Sequence, residues 1–159
     1  MLKLERGSRL TTVIIVLAGL ALAPLALADD ADDVLAVVKN YADLEGDLQK
    51  QAELIRDDRV MITNVRQSDQ AKNLAIQLAD RKANEAVSGG ETRFITTVES
   101  PQVALYGDVA VVSFVRMFSV YPHEQEPVQT EPTWVTLVLV KERGAWGIAH
   151  THVSATGEN

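Results

Sequence analysis

The chain has 159 residues, contains no cysteine and carries a formal net charge of −7. This length accommodates one domain in addition to a leader, and an acidic domain repels the phosphate backbone, which argues against nucleic acid as a partner. Because small extracellular domains of eukaryotes usually carry disulfides, the lack of cysteine favours a bacterial periplasmic protein. The chain is long enough to bury a core that needs no disulfide.

The N-terminus has the features of a secretory signal peptide. Three basic residues precede a long apolar run, and Ala26-Leu27-Ala28 forms a small-x-small cleavage site. We therefore expect a signal peptide over residues 1–28, a mature domain over residues 29–159 and a periplasmic location. The apolar run also approaches the ~20 residues that span a bilayer, so an uncleaved leader would anchor the domain at the membrane.

Helical periodicity characterises the start of the mature domain. Residues 33–44 form one predicted helix, because their apolar side chains recur at i, i+3, i+4, i+7 and i+8. Gly46 ends this helix, and Asp47 is placed to cap a second helix over residues 48–55. A short strand is predicted over residues 59–63.

A longer helix is predicted next. Ser68 or Asp69 caps it, and the helix ends near Val87, before a pair of glycines. Its apolar positions form a stripe that we expect to be buried against a sheet: Ala71, Leu74, Ala75, Leu78, Ala79, Ala83 and Ala86.

The second half of the domain is rich in β-branched residues and turn signals. Strands are predicted over residues 92–98, 103–106, 109–121, 134–141 and 145–154. Gly107-Asp108 is a tight turn, and residues 122–132 form a Pro-rich acidic loop. Helices followed by an antiparallel meander predict the α+β class.

Two of these strands are apolar on both faces, over residues 109–115 and 134–140. A sheet with one face in water alternates apolar and polar residues instead, so both faces of this sheet should be covered. The helices can cover one face, and a second copy of the chain can cover the other, which predicts a homodimer. The alternative is a second face covered by the chain's own loops.

The last strand carries the most informative pattern. Trp146, His150, His152 and Ser154 lie at even spacing, which places all four on one face of a regular strand. Together with residues 113–117, this pattern resembles the nuclear transport factor 2-like (SnoaL-like) superfamily, and within it the association domain of calcium/calmodulin-dependent kinases. The resemblance implies a cone-shaped domain in which a curved antiparallel sheet packs on N-terminal helices.

The resemblance also implies a pocket for a small molecule. Arg116 matches an arginine that lines the pocket of association domains, whereas a second pocket arginine would fall near Leu137 and is absent. We expect Arg116 to anchor an anionic ligand, because arginine binds carboxylates in a bidentate manner. The alternative is a buried salt bridge to Asp57, Asp58 or Glu99. The full set of candidate ligand-binding residues is Arg116, His150, His152, Tyr41, Trp134 and Asp58.

The sequence predicts neither a metal nor another cofactor. His150 and His152 could chelate a metal if a third ligand such as His123 joined them, but no close-set third ligand is present. Steroid isomerase chemistry, which occurs in the same superfamily, is not predicted either, since Thr63 and Lys39 stand where its carboxylate and phenol would lie. No nucleophile constellation and no phosphate-binding glycine loop is present.

Two functions remain open at this point. The first is binding of a small, acidic organic molecule in the pocket, with or without its chemical transformation. The second is a non-catalytic dimerisation or assembly module, as in the kinase association domains. The fold serves many functions, so the resemblance does not choose between them.

Overall fold

The computed structural model describes residues 23–157, which begin with a helical layer. Helix α1 (Ala23–Asp43) leads through a 3₁₀ turn (Leu44–Gly46) into the short helix α2 (Leu48–Ala52). As expected, Asp47 caps α2, because its carboxylate accepts a hydrogen bond from the Lys50 N–H.

The signal peptide expected over residues 1–28 lies outside the described residues, except that residues 23–28 belong to the helical backbone of α1. Within the described part of the chain, no helix has the length and apolar character needed to cross a membrane.

A mixed sheet forms the second layer and confirms the α+β class. Its strands are β1 (Ile55–Thr63), β2 (Arg66–Asp69), β3 (Arg93–Tyr106), β4 (Val109–Tyr121), β5 (Val128–Gln129), β6 (Thr133–Glu142) and β7 (Ala145–Ala155). They are ordered β2-β1-β7-β6-β4-β3, and β5 pairs with β4. The pair β1–β7 is parallel and the other pairs are antiparallel, so the expected purely antiparallel sheet is corrected in this one respect.

Two boundaries differ from the sequence-based expectation. Residues 57 and 58, expected after a longer α2, lie inside β1, which begins at Ile55. The two strands expected over residues 92–98 and 103–106 form the single strand β3, which is interrupted by a bulge between Glu99 and Gln102. Ser100 in this bulge has a positive φ of 51°.

The sheet has an inner face, which we define as the surface that packs against α1. The core between them consists of Val34, Val38, Tyr41, Ile55, Ala110, Val112, Phe114, Val135, Leu137, Leu139, Trp146, Ile148 and Val153. Every second residue is buried in the first half of β4, from Val109 to Phe114, and in β6 from Trp134 to Val140.

A β-bulge in β7 decides which of its residues reach this core. Leu139 of β6 pairs with Ile148, but Val138 pairs with His150, so that Ala149 is an extra residue on β7. An inserted residue moves every later side chain to the opposite face from the one that simple alternation predicts.

The expectation that four residues of this strand share one face is therefore wrong. Trp146 is buried on the inner face, whereas the bulge places His150, His152 and Ser154 on the other side. Thr151, between the two histidines, is the residue that faces inward, and its exposed fraction is 1%.

The opposite surface of the sheet, which we call the outer face, is largely apolar. Cross-strand pairing places on it Val60, Ile62, His150, His152, Ser154, Trp134, Thr136, Val138, Val140, Val109, Val111, Ser113, Val115, Met117, Ile95, Thr97, Glu99, Gln102, Ala104 and Tyr106. Trp134 and Tyr106 are exposed by 49% and 68%. All of these side chains are half-buried or exposed, so the loops within residues 23–157 do not bury this face.

Helix α3 (Gln70–Ser88) buries the side opposite to the one that we expected from the sequence. Asp69 caps it as predicted, by accepting a hydrogen bond from the Lys72 N–H at 2.7 Å. The expected buried stripe is wrong: Leu74 is half-buried, Leu78 is exposed, and the alanines at 71, 75, 79, 83 and 86 are all exposed. Polar residues face inward instead, because this side of the helix borders a charged cavity.

Candidate functional site

The polar residues that face inward form a cluster centred on Tyr41. This tyrosine projects from α1, and its phenol lies within electrostatic reach of Glu45, Arg59 and Arg116. Each of these residues comes from a different place in the chain: the 3₁₀ turn, β1 and β4. The structure thus brings together two of the expected site residues, Tyr41 and Arg116, and adds charged neighbours.

Arg59 is the most unusual member of the cluster. Its exposed fraction is 1%, and its Nη1 donates a hydrogen bond of 3.3 Å to the Thr151 hydroxyl. Its Nε and Nη2 have no hydrogen-bond partner among the described residues, and it takes part in none of the ion pairs found there. A buried guanidinium without a carboxylate is energetically costly, which is the usual signature of an anion-binding position.

A second buried arginine has its carboxylate. Arg81 of α3 forms an ion pair with Glu45 and also donates to the Glu45 backbone carbonyl at 3.1 Å. Thr96 donates to the same carboxylate at 2.9 Å, and the Gln51 amide lies 3.5 Å from it. Glu45 is therefore fully engaged, and it is not free to neutralise Arg59 or Arg116.

Arg116 lines a cavity between α3 and the strands β3 and β4. The cavity has a volume of about 320 Å³ and is lined by Glu45, Gln77, Asp80, Arg81, Asn84, Phe94, Arg116, Phe118 and Val120. The Arg81 guanidinium stacks 3.4 Å from the centre of the Phe94 ring, and that of Arg116 lies 5.6 Å from the Phe118 ring centre. Aromatic faces hold both guanidinium planes in position without neutralising their charge.

The expected salt bridge of Arg116 is absent within residues 23–157. Asp58 pairs with Arg56, and no ion pair in this range involves Arg116, Asp57 or Glu99. The Nε of Arg116 is buried without a hydrogen-bond partner. The alternative of a purely structural pairing is thus wrong for the three partners considered.

Burial and neighbouring charges act on the titration of this cluster. Burial, with the Glu45 carboxylate, raises the pKa of Tyr41 above its ordinary value, although Arg59 and Arg116 act in the opposite direction. Burial lowers the pKa values of Arg59 and Arg81, which shows that their charge is poorly solvated. The phenol therefore remains a neutral hydrogen-bond donor, beside guanidinium groups that favour an added anion.

Four of the expected site residues lie outside this cluster. His150, His152 and Trp134 lie on the outer face, because of the bulge in β7 and the strict alternation of β6. Asp58 is exposed and accepts hydrogen bonds from Arg56 at 2.9 and 3.0 Å, which lowers its pKa. None of these four side chains belongs to the cluster around Tyr41.

The residues that sequence analysis missed are Arg59, Glu45, Arg81 and Thr151. An arginine inside the otherwise apolar segment 59–62 was a usable signal for Arg59. The inward position of Arg81 had no comparable signal, because the alanines of α3 suggested the opposite buried side. Thr151 was hidden by the bulge.

The structure locates His123, the third ligand considered for a metal at His150 and His152. In the described part of the chain, no group of three His, Cys, Asp or Glu residues is placed to hold a metal ion. His123, considered as a third ligand, lies in the loop after β4, 3.8 Å from the Glu124 carboxylate. It is not brought next to His150 or His152.

Comparisons with known proteins agree with this architecture. Residues 45–157 match the model of the family described as calcium/calmodulin dependent protein kinase II association domain. No curated protein matches the chain.

Solved structures share the fold at low identity. An NTF2-like protein with a cystatin-like fold from Novosphingobium aromaticivorans has a TM-score of 0.71 at 13% identity, over 87% of this chain and 89% of that one. The CaMKII hub homology domain of Chlamydomonas reinhardtii has a TM-score of 0.64 at 22% identity, over 80% and 99%. A Catenulispora acidiphila protein in complex with S-DNPA has a TM-score of 0.66 at 14% identity, over 80% and 94%.

The resemblance inferred from the last strands is thereby confirmed, together with the NTF2-like fold. Because the family model covers most of the chain, this protein belongs to the calcium/calmodulin-dependent protein kinase II association domain family.

Proposed function

We propose that this protein is an association domain that joins copies of its own chain through the outer face of the sheet. The observation that carries the proposal is the apolar outer face, on which Trp134, Tyr106, Ile95 and Val60 are all exposed. Membership in an association-domain family supports oligomerisation in general. The homodimer and the surface that forms it are our proposal.

The charge pattern favours a second copy as the occupant. The chain contains 22 acidic residues, yet the carboxylates on this side of the sheet, Glu99, Asp69, Asp58 and Glu142, all lie at its borders. Two copies of such a face can approach without like-charge repulsion, and depletion of charge at the centre is typical of protein interfaces.

The area of the outer face can be compared with that of a stable protein–protein interface. Five strands at a spacing of about 4.8 Å and about seven residues at 3.3 Å each give a footprint of roughly 24 by 23 Å. The projected area of roughly 550 Å² is about two-thirds of the ~800 Å² that each partner contributes to a standard interface, and two such faces exceed the ~1,000 Å² in total that a specific interface requires. Two sheets that pack face to face in this way form a core like that of a β-sandwich.

Sedimentation velocity of the purified protein tests the proposal. We expect a dimer at micromolar concentration, and we expect Trp134→Glu to shift it to the monomer, because the new carboxylate would be buried against the partner. Val65→Glu is the matched control: Val65 is 89% exposed in the turn between β1 and β2, away from the outer face. A monomeric wild-type protein, or equal effects of both variants, would contradict the proposal.

A second function is supported by a separate observation, the uncompensated charge of Arg59. We propose that the cluster around Tyr41 binds a small carboxylate or another small anion, with Arg116 lining the cavity and Arg59 buried beside Tyr41. Arg59 supplies a second guanidinium although position 137 is a leucine. A bound anion would offset the cost of two desolvated guanidinium groups, whose unpaired N–H donors match carboxylate oxygens.

A thermal-shift screen with small carboxylates tests this second function. A ligand at about 100 times its Kd stabilises by about 2.7 kcal/mol, which raises Tm by several degrees. We expect the shift to disappear in Arg116→Ala and to persist in Arg66→Ala, since Arg66 lies exposed on β2. No shift with any carboxylate, or an equal loss in both variants, would refute the anion site and leave the association domain unaffected.

A further inference from the structure

Both histidines of β7 lie near the centre of the outer face, in two adjacent rows of paired residues. One row runs Val60, His150, Val138, Val111 and Ala104 across β1, β7, β6, β4 and β3. The next runs Ile62, His152, Thr136, Ser113 and Gln102. The first row is apolar except for its imidazole, and the second contains neutral polar groups.

The immediate neighbours of both imidazoles on this face are uncharged. On β1 they are Val60 and Ile62, and on β6 they are Val138 and Thr136. The Thr136 hydroxyl lies 3.5 Å from that of Ser113. Among the described residues of the outer face, no anion is therefore adjacent to either histidine to compensate a positive charge.

The charged groups of this side of the molecule lie at its borders. Arg56 extends over Gly147 and binds the carboxylates of Asp58 and Glu142, each at 2.9 Å. On β2, Asp69 pairs across the ladder with Val60 and caps α3 at Lys72. On β3, Glu99 lies beside Val115, one strand beyond β4.

We propose that uptake of protons by His150 and His152 separates the copies of this chain, so that the association is stable at neutral pH and lost in acid. This inference rests on the proposed sheet-to-sheet association. Each copy brings two imidazoles to the interface, and imidazole is the side chain that acquires its charge between pH 8 and 5. A dimer thus contains four groups that become cations while surrounded by Val, Ile and Thr.

The direction of the pH effect on dimerisation follows from desolvation of the imidazolium groups and from proton linkage. A separated copy exposes His152 to water and leaves His150 half-buried. In the interface the imidazolium would be buried without a counter-ion and would face the partner's apolar rows. The separated copies then bind more protons than the dimer, and a fall in pH shifts the equilibrium towards them.

The size of the pH effect on the dissociation constant is set by the number of protons that are released on association. Each histidine that must be neutral in the dimer raises the dissociation constant by up to about tenfold per pH unit below its titration range. With partial solvation at the edges of the interface, we expect an increase of about 10- to 100-fold between pH 7.5 and 5.0.

Sedimentation equilibrium of the full protein at pH 7.5 and 5.0 tests the inference. The wild type should show the expected increase in the dissociation constant, and His150→Gln/His152→Gln should lose at least nine-tenths of it. The single variant His152→Gln serves if the double variant does not fold, because His152 is exposed and tolerates replacement. Near-ultraviolet circular dichroism of the buried Trp146 verifies folding at both pH values.

The possible outcomes separate this inference from the association itself. A dimer with the same dissociation constant at both pH values overturns the role of the histidines and leaves the proposed function intact. Tighter association in acid also overturns it, and would indicate that the carboxylate of Glu99 or Asp69 on one copy pairs with an imidazolium on the other. A wild type that is monomeric at pH 7.5 overturns both.

Discussion

Replacement of Arg59 by methionine should stabilise the protein. The side chain is 99% buried, its Nε and Nη2 lack an aligned partner although the Tyr41 phenol lies close by, and its hydrogen bond to Thr151 is 3.3 Å long. Buried unsatisfied polar groups cost about 1–3 kcal/mol, whereas the bond to Thr151 contributes about 1 kcal/mol. Methionine fills a similar volume without a charge, so we expect the free energy of unfolding to rise by about 1–2 kcal/mol.

The matched variant is Arg81→Met, for which the opposite sign is expected. Arg81 pairs with the buried carboxylate of Glu45, and its removal would leave that carboxylate with only Thr96 and Gln51. Breaking a buried pair by removing one partner costs about 3–5 kcal/mol. The two variants thus delete the same functional group from one cluster, and they differ in whether a carboxylate is left behind.

Urea denaturation followed by tryptophan fluorescence measures both effects. With unchanged m-values, the midpoint should rise for Arg59→Met and fall for Arg81→Met. A fall of more than about 1 kcal/mol for Arg59→Met would refute the reasoning, because it would show that the guanidinium is compensated within the folded protein. The stabilised variant should also lose any thermal shift produced by carboxylates, since stability gained at a binding site is commonly offset by lost function.

Three further predictions concern other parts of the molecule. Burial raises the pKa of Tyr41, so the folded state keeps a proton that the unfolded chain loses above about pH 10. The free energy of unfolding should therefore fall as the pH rises above about 10. Tyr41→Phe should reduce this fall in urea titrations between pH 8 and 11. Asp69→Ala removes the cap of α3 and should lower the free energy of unfolding by about 1 kcal/mol, whereas no measurable change would show that the capping bond contributes nothing. We also propose that the exported protein begins at Asp29; an intact mass that retains residues 1–28 would contradict cleavage and indicate a membrane anchor.

Local signals in the sequence predicted the elements well. Asp47 and Asp69 cap their helices as expected, because capping involves only neighbouring residues. The unbroken apolar runs of β4 and β6 identified two strands with apolar residues on both faces, and the structure leaves one of those faces uncovered by the described loops. These features depend on short stretches of chain, where periodicity and side-chain chemistry suffice.

The site was predicted only in part, because its composition depends on register. Arg116 and Tyr41 were identified, but His150 and His152 were placed on the wrong face, since the extra residue in β7 exists only relative to its pairing with β6. The buried side of α3 was likewise mistaken, because Arg81 faces inward to reach Glu45, which lies 36 positions earlier in the chain.

By itself, then, the sequence determined the fold class, the family resemblance, the caps and the position of a candidate arginine, Arg116, on β4. The tertiary structure alone decided that Arg59 joins Arg116 around Tyr41 and that the two histidines lie on the apolar outer face. The physical reason is that side-chain direction along a strand alternates with every residue, so a single bulge, which only the neighbouring strand reveals, reassigns each later residue from one face to the other.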